Sequence, residues 1–164
     1  MKKSVGLLIY VFYNGILHAI LQKRGEFNVE KMKPETWPGA CQVSVHGGLQ
    51  NEENFEQALL REISEEMPGL LIDPDDLTEL YHKVSDEKET ITYGFVSRKN
   101  LKELLSSFSL HSCTGGLKII NERNIASIQE LSNNDKLGVT DREIKMFQDE
   151  IQALKNGFYI FSKG

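Results

Sequence analysis

The chain has 164 residues, of which 40% are hydrophobic and 26% charged, and its formal net charge is −5. This length and composition fit a single globular domain and exclude disordered, collagenous and membrane-spanning classes. The negative charge and the lack of a Lys/Arg run argue against a polymeric nucleic acid as partner. Cys41 and Cys113 lie far apart and outside any zinc or disulfide spacing, so we expect a reduced, cytoplasmic protein.

The N-terminal segment predicts a β-hairpin. Residues 4–13 and 16–23 are apolar runs rich in strand formers. Asn14-Gly15 between them accepts the positive φ angles that a tight hairpin turn requires. The basic start imitates a signal peptide, but no small-residue cleavage site follows, and the apolar run is too short to cross a membrane.

The next segment predicts a loop and a short strand. Residues 25–38 are charged and contain two prolines, which indicates a loop. Residues 40–45 then predict a strand that stops at Gly47-Gly48.

A helix is predicted from Asn54 to about Met67. Apolar residues recur there at three- and four-residue spacing, Asn54 is a suitable N-cap, and Pro68-Gly69 ends the helix.

The middle of the chain predicts a second strand pair and a short helix. Residues 79–84 and 90–96 are rich in strand formers and are joined by a charged turn. Residues 100–108 predict a short helix, and a loop is expected around residues 114–116.

The C-terminal part predicts two weak strands and a long helix. The strands cover residues 117–120 and 124–128, and a capping box introduces a helix over residues 141–155. Residues 157–162 are predicted as a strand or a docked tail. Strands interleaved with two long helices predict the α/β class, with a sheet covered by helices.

Three glutamates in the predicted helix of residues 54–67 are candidates for chemistry. Glu62, Glu65 and Glu66 are spaced i, i+3 and i+4, so one helix face carries all three carboxylates. Their repulsion costs a few tenths of a kcal/mol per pair, and a hard cation such as Mg²⁺ or Mn²⁺ would reverse it. A solvated acidic face is the alternative.

A longer pattern contains these glutamates. Gly47, five residues, Glu53, seven residues and the run Arg-Glu-Ile-Ser-Glu-Glu at 61–66 follow one another. This order resembles the Nudix box, G-x5-E-x7-R-E-U-x-E-E-x-G-U with U aliphatic, at seven specified positions. Such a match is far more specific than a lone Gly-rich loop. Pro68 replaces the family glycine and Gly69 comes one place late, but Gly69 can still take positive φ after the helix.

The resemblance implies a fold and a set of roles. It implies one Nudix-type domain over residues 1–164, an α/β/α sandwich with a mixed sheet flanked by helices. Glu62, Glu65 and Glu66 would bind Mg²⁺ or Mn²⁺, and Glu65 and Glu66 would also be catalytic. Arg61 would pair with Glu53 to hold the loop against the helix. The residues expected to support the site are Gly47, Gly48, Glu53 and Arg61.

The general base and the substrate contacts lie outside the box. Glu122, on a loop before a strand candidate, is the predicted base, and Glu130 competes with it. Arg24 follows the second strand, where many relatives carry a phosphate-contacting cation. Trp37 and His46 complete the predicted substrate contacts, although Trp37 equally fits a core anchor.

The sequence therefore predicts a metal-dependent hydrolase of diphosphate linkages. The substrate would be a small molecule, either a nucleoside diphosphate linked to another moiety or a related organic diphosphate, without a membrane partner. A homodimer is left open. One alternative is a non-catalytic Nudix-like nucleotide-binding module, which usually loses box glutamates. The other is an isopentenyl-diphosphate-isomerase-like protein, suggested by Thr36-Trp37 and the later Ser-Val-x-Gly run, but His46 stands where its catalytic Cys would be.

Overall fold

A seven-stranded mixed sheet with helices on both faces dominates the computed structural model, which describes residues 1–28, 32–109 and 114–163. In chain order, the strands are β1 (Lys2–Tyr13), β2 (Ile16–Arg24), β3 (Phe27–Asn28), β4 (Lys33–Pro34), β5 (Cys41–Gln42), β6 (Val45–Gly48), β7 (Thr78–Val84), β8 (Lys88–Val96), β9 (Thr114–Asn121), β10 (Ile128–Glu130) and β11 (Ile144–Met146). The α-helices are α1 (Phe55–Glu66), α2 (Leu101–Ser106) and α3 (Gln148–Phe161). Short 3₁₀ helices cover Pro74–Asp76, Glu122–Ser127 and Asn133–Asp135. None of the described helices is long and apolar enough to cross a membrane.

The main sheet is built around β1. Strand β1 pairs in parallel with β8 and antiparallel with β2 and β6, while β9 and β5 add to β2 and β7 adds to β8. The direct pairing of β1 with β2 ends at Ile9 and Ile20. Beyond this point the segment that contains β5 and β6 lies between the two strands, with β6 paired to β1 and β5 paired to β2. The buried Ser44 hydroxyl bridges the two strands, accepting from the Ile9 N–H at 2.9 Å and donating to the Ile20 carbonyl.

Alternation along β1 divides the core into two layers. Val5, Leu7 and Ile9 pack with helix α1, whereas Leu8 and Tyr10 pack with helix α3. Successive side chains of a strand point to opposite faces, so one strand contributes to both layers. The predicted α/β/α arrangement with a mixed sheet is confirmed.

The predicted hairpin and the predicted helix of residues 54–67 are also confirmed. The turn residues Asn14 and Gly15 both have positive φ. Helix α1 begins after Asn54, whose side chain accepts from the Gln57 N–H, and it ends at Glu66. Beyond Pro68, Gly69 has a φ of +91°, so the chain leaves the helix by the route expected for the altered box.

The prediction of one strand over residues 40–45 is wrong. Two short strands, β5 and β6, take its place, and Ser44 separates them. Gly47 and Gly48 lie inside β6 rather than ending a strand. The reason is that Ser44 uses its side chain to satisfy strands β1 and β2, a role that a periodicity pattern does not reveal.

Two further predictions after residue 113 are wrong. The expected loop at residues 114–116 belongs to β9, and the strand predicted over 124–128 is mostly the 3₁₀ helix Glu122–Ser127. Asn121 caps this 3₁₀ helix by accepting from the Arg123 N–H. Side-chain capping competes with strand pairing, which explains the difference. The helix predicted over 100–108 forms as the shorter α2.

The last helix starts later and runs further than predicted. Residues 141–143 are not helical, β11 follows them, and α3 extends from Gln148 to Phe161. The Thr140–Glu143 pair that resembled a capping box closes a turn, in which the Glu143 N–H donates to the Thr140 carbonyl at 3.1 Å. Residues 157–161, predicted as a strand or tail, are the last turns of α3.

Candidate active site

The box glutamates lie where helix α1 meets strand β6. Ala58, Leu59 and Ile63 bury the helix against the sheet. Glu62 and Glu66, one turn apart, lie at the edge of this buried face and are partly buried. The Glu65 side chain is 57% exposed, so it faces outward. Helix α1 thus orients two of the three carboxylates toward β6.

Gly47 allows helix and strand to approach closely. A Cβ atom built on Gly47 would overlap the carboxylate of Glu62. A Cβ on Gly48 would have no neighbour closer than the Lys3 carbonyl oxygen at 3.8 Å. A side chain at residue 47 would therefore displace Glu62 from its position, whereas a side chain at residue 48 would not.

Arg61 ties together the parts of the site. Its guanidinium donates to both carboxylate oxygens of Glu53, at 2.8 and 3.0 Å, and to the Gly48 carbonyl at 2.9 Å. It also donates to Glu62 Oε1 at 2.9 Å. The Arg61 hydrogen bonds, followed by that of the Gln50 N–H, hold the pKa of Glu53 below its usual range. The structure thus places Arg61 against Glu53, as the resemblance implies.

Glu66 has an unsatisfied carboxylate oxygen. Its Oε2 atom is buried and has no hydrogen-bond partner within the described residues, while its carboxylate accepts from the backbone N–H of His46. Burial raises the pKa of Glu66 to about 7, and the charges of Glu62 and Glu65 add to the effect. A buried polar atom without a partner is costly, and a bound cation would satisfy it.

The three box glutamates do not form a preassembled ligand set. Over residues 1–28, 32–109 and 114–163, no group of three or more acidic, His or Cys side chains is arranged to hold a metal ion. Glu62 is turned toward Arg61, and Glu65 is 3.5 Å from the same guanidinium. Carboxylate oxygens are nevertheless the ligands that Mg²⁺ and Mn²⁺ prefer, so the donor types fit and the metal site stays a prediction.

A pocket of about 320 Å³ opens on the opposite face of β6. His46 connects it to the acidic helix, because its backbone N–H contacts Glu66 while its ring lines the pocket. Loss of hydration lowers the pKa of His46 to about 4, and Lys88 and Arg24 act in the same direction. Near neutral pH the ring is therefore uncharged and can donate one hydrogen bond and accept another.

Glu150 lines the pocket and was missed at the sequence level. Its Oε1 accepts from the Val43 N–H at 3.0 Å, and burial raises its pKa to about 7. The sequence pattern placed residue 150 in the middle of a helix, whereas it lies in the first turn of α3. Lys83, Lys88 and Thr90 also line the pocket and were missed. For Lys88 and Thr90, the alternation of side chains along β8 was the only available sequence signal.

The structure brings Arg24 to this pocket but not Trp37. Arg24 lies 5.7 Å from the centre of the Phe147 ring and 3.6 Å from a Glu35 carboxylate oxygen. Trp37 packs edge-on against Phe147, with ring centres 5.0 Å apart, and donates to the Ser132 carbonyl. Trp37 therefore contacts a residue that lines the pocket but does not line it itself.

The two base candidates lie away from the box. Glu122 is exposed and directly follows Asn121. Asn121 pairs with His18 of β2, and His18 pairs with Val11 of β1. In β6, Gly47 contacts Glu62 and His46 contacts Glu66, and these two residues pair with Val5 and Gly6 of β1. Five or six residues along a strand span about 17–20 Å. Glu130 is exposed on β10. The structure therefore does not bring Glu122 together with the box glutamates.

Comparison with known proteins identifies the fold. The sequence matches no protein-family model and no curated protein. The structure is similar to a mutT/nudix family protein from Listeria innocua, with a TM-score of 0.64 and 18% identity over 99% of this chain and 94% of that chain. It is also similar to the NUDIX domain of Shewanella oneidensis NrtR complexed with ADP ribose, with a TM-score of 0.60 and 12% identity over 97% and 87% of the two chains. A C. elegans Ap4A hydrolase matches over the full length of both chains with a TM-score of 0.55 and 13% identity. The chain therefore has the Nudix fold.

Proposed function

We propose that this protein is a hydrolase that uses Mg²⁺ or Mn²⁺ to cleave the diphosphate linkage of a small organic diphosphate. The observation that carries this proposal is the buried Oε2 of Glu66, which lies one helical turn from Glu62 and has no hydrogen-bond partner among the described residues. A metal ion at this position would offset the repulsion between the carboxylates and satisfy the orphaned oxygen.

The chain's own residues have distinct tasks in this proposal. Glu62, Glu65 and Glu66 would hold the metal. A metal bound there would neutralise the diphosphate and lower the pKa of a water molecule near it. Arg61 keeps Glu62 and the β6 carbonyl of Gly48 in place through its bonds to both. Glu122 has no task here, because it lies at the other end of the sheet.

The pocket behind His46 would receive the organic part of the substrate. It is next to Glu66 through the His46 backbone, and it contains both charged and hydroxyl side chains. One similar fold was solved with ADP ribose and another belongs to an Ap4A hydrolase. Both compounds contain adenosine linked through phosphates to a second group, which supports the class of nucleoside diphosphate derivatives.

The first test compares two variants that make the same chemical change on helix α1. Glu66→Gln removes the charge of the orphaned carboxylate, and Glu56→Gln changes an exposed glutamate on the same helix. We would measure phosphate and diphosphate release from nucleoside triphosphates, ADP ribose, dinucleoside polyphosphates and isoprenoid diphosphates with Mg²⁺ or Mn²⁺. Glu66→Gln should lower turnover more than about 100-fold, because even neighbours of metal ligands cost 10- to 100-fold. Glu56→Gln should leave turnover unchanged, and EDTA should abolish it.

The remaining outcomes separate the alternative functions. Metal-dependent binding of a nucleotide without turnover of any compound would favour the nucleotide-binding module. Isomerisation of isopentenyl diphosphate would contradict the hydrolase. Turnover that survives in Glu66→Gln would contradict the assigned metal site.

A further inference from the structure

Three lysines gather on strands β1, β7 and β8 beside the pocket. Lys2 pairs in register with Lys88, and Lys83 pairs with Thr90, which is two residues from Lys88 on the same strand. Cross-strand partners and residues two apart share a sheet face, so all three side chains lie on the α3 face. Lys83 and Lys88 line the pocket directly.

These three lysines have no close ion-pair partner over the part of the chain that the structure describes. Each of the three side chains is exposed. Asp86 and Glu87 lie in the turn between β7 and β8, outside the pocket lining. Glu89 is bonded to His82 at 2.6 Å. The pocket's own acids, Asp149 and Glu150, lie on helix α3, and the charge of Lys88 acts on Glu150 without forming an ion pair with it.

The pocket has polar groups along its length between the acidic helix and the lysines. His46 of β6 pairs with Gly6 of β1, and Gly6 pairs with Thr92 of β8. The strand beyond β8 is β7, which carries Lys83. Three strand spacings are about 14 Å, and the flexible four-carbon stem of lysine shortens the gap. A Cβ on Gly6 would lie 3.1 Å from Val43 and 3.6 Å from Thr92. The absent side chain keeps the floor of the pocket open.

We propose that the pocket selects organic diphosphates carrying a further phosphoryl group remote from the scissile linkage, and that Lys83 and Lys88 bind this group. This proposal rests on the function proposed above in one respect, because it places the scissile diphosphate of the substrate at the Glu62–Glu66 face. Lysine is a common phosphate ligand that acts as a point charge. The hydroxyls of Ser85 and Thr90, which line the same pocket, supply hydrogen bonds to the same group.

Equilibrium binding tests this proposal with ligands that contain no diphosphate linkage. We would compare adenosine 3′,5′-bisphosphate with AMP, and glucose 1,6-bisphosphate with glucose 1-phosphate, by calorimetry in Mg²⁺ and in EDTA. The variant is Lys83→Gln/Lys88→Gln. The matched control is Lys99→Gln/Lys102→Gln, which makes the same charge change at exposed lysines near helix α2.

The bisphosphate should bind about 10-fold more tightly than the monophosphate to the wild type and to the control. Two partly solvated ion pairs account for a preference of this size. The preference should disappear in the Lys83→Gln/Lys88→Gln variant. A preference within the adenosine pair would identify a nucleotide as the source of the phosphate, and a preference within the glucose pair would identify a sugar. Equal binding within both pairs, binding of neither ligand, or a preference that survives in the variant would overturn the proposal.

These results do not depend on turnover. If no diphosphate is hydrolysed but the bisphosphate preference is present, the hydrolase proposal fails and the phosphate selection stands. If diphosphates are hydrolysed without such a preference, only the phosphate selection fails. Where both hold, coenzyme A should have a lower KM than dephospho-coenzyme A, and the lysine variant should equalise KM with little change in kcat.

Discussion

At the residue scale, the site depends on a contact that leaves no space for a side chain. The carboxylate of Glu62 occupies the position where residue 47 would carry a Cβ, and Arg61 fixes that carboxylate from the other side. The carboxylate of Glu66 accepts from the His46 backbone N–H, while its buried Oε2 has no hydrogen-bond partner among the described residues. Burial and the charges of Glu62 and Glu65 disfavour the charged form of Glu66, and the single His46 donor opposes them only in part.

Alanine at Gly47 should therefore damage the site, whereas alanine at Gly48 should not. Gly47→Ala forces Glu62 out of its position, and we expect at least a 10-fold weaker affinity for Mg²⁺ or Mn²⁺, seen as a smaller rise of the melting temperature at each metal concentration. Gly48→Ala meets no close atom and is the matched control. Metal titrations followed by thermal unfolding measure the effect. Equal metal responses in the two variants would show that Gly47 has no role in positioning Glu62.

At the element scale, strand β6 couples the two halves of the site. Val45 and Gly47 face helix α1, and His46 between them faces the pocket on the α3 side. This follows from the two-residue period of a strand. In the proposed function, the diphosphate at the acidic helix and the organic part in the pocket would thus lie on the two sides of β6.

Helix α3 is attached to the sheet by an equally close contact. Tyr10 donates to the Leu154 carbonyl at 2.9 Å, and a Cβ at Gly157 would overlap the Tyr10 ring and hydroxyl. Glycine inside a helix normally costs up to about 1 kcal/mol relative to alanine. Here the close approach of Tyr10 makes glycine the residue that fits.

Gly157→Ala should therefore destabilise the protein despite its better helix propensity. We expect a loss of about 1–3 kcal/mol in the free energy of unfolding, which is typical of overpacking. Urea denaturation measures it. Combining Gly157→Ala with Tyr10→Phe removes the nearest clashing atom and should recover part of the loss. A more stable Gly157→Ala variant would refute the packing explanation.

At the scale of the whole molecule, Glu150 links distant parts of the chain. It joins the start of helix α3 to the segment between β5 and β6, because its carboxyl group accepts from the Val43 N–H. Burial raises its pKa from 4.5 to about 7 in the folded state. Between these two pH values the folded protein binds this proton more tightly than the unfolded chain does. The free energy of unfolding therefore falls as the pH rises through this range.

Glu150→Gln should remove this pH dependence and keep an oxygen for Val43. The pKa difference sets an upper limit of about 3 kcal/mol, and solvent access through the pocket reduces it, so we expect about 1 kcal/mol. The variant should be more stable than wild type near pH 8 and equally stable near about pH 4.5. Denaturation curves across this range, with Glu56→Gln as control, measure it. A variant that is less stable at the higher pH would contradict the assigned burial effect.

The amino-acid sequence by itself determined the elements that depend on local rules. The first hairpin follows from Asn14-Gly15, and helix α1 follows from its Asn54 cap and apolar spacing. The spacing of the box glutamates is also a property of one helix, so their common position could be predicted. So could the pairing of Arg61 with Glu53, through the resemblance of the motif.

Only the tertiary structure decided which of the other predicted residues meet. Glu122 was placed near the site by analogy, yet β9 carries it to the opposite end of the sheet. The start of α3 was misplaced because β11, which precedes it, is a strand only through its pairing with β10. The pocket combines residues from β2, β5, β6, β7, β8 and α3. Contacts between segments this distant in the chain depend on strand order and register, which local sequence patterns do not encode.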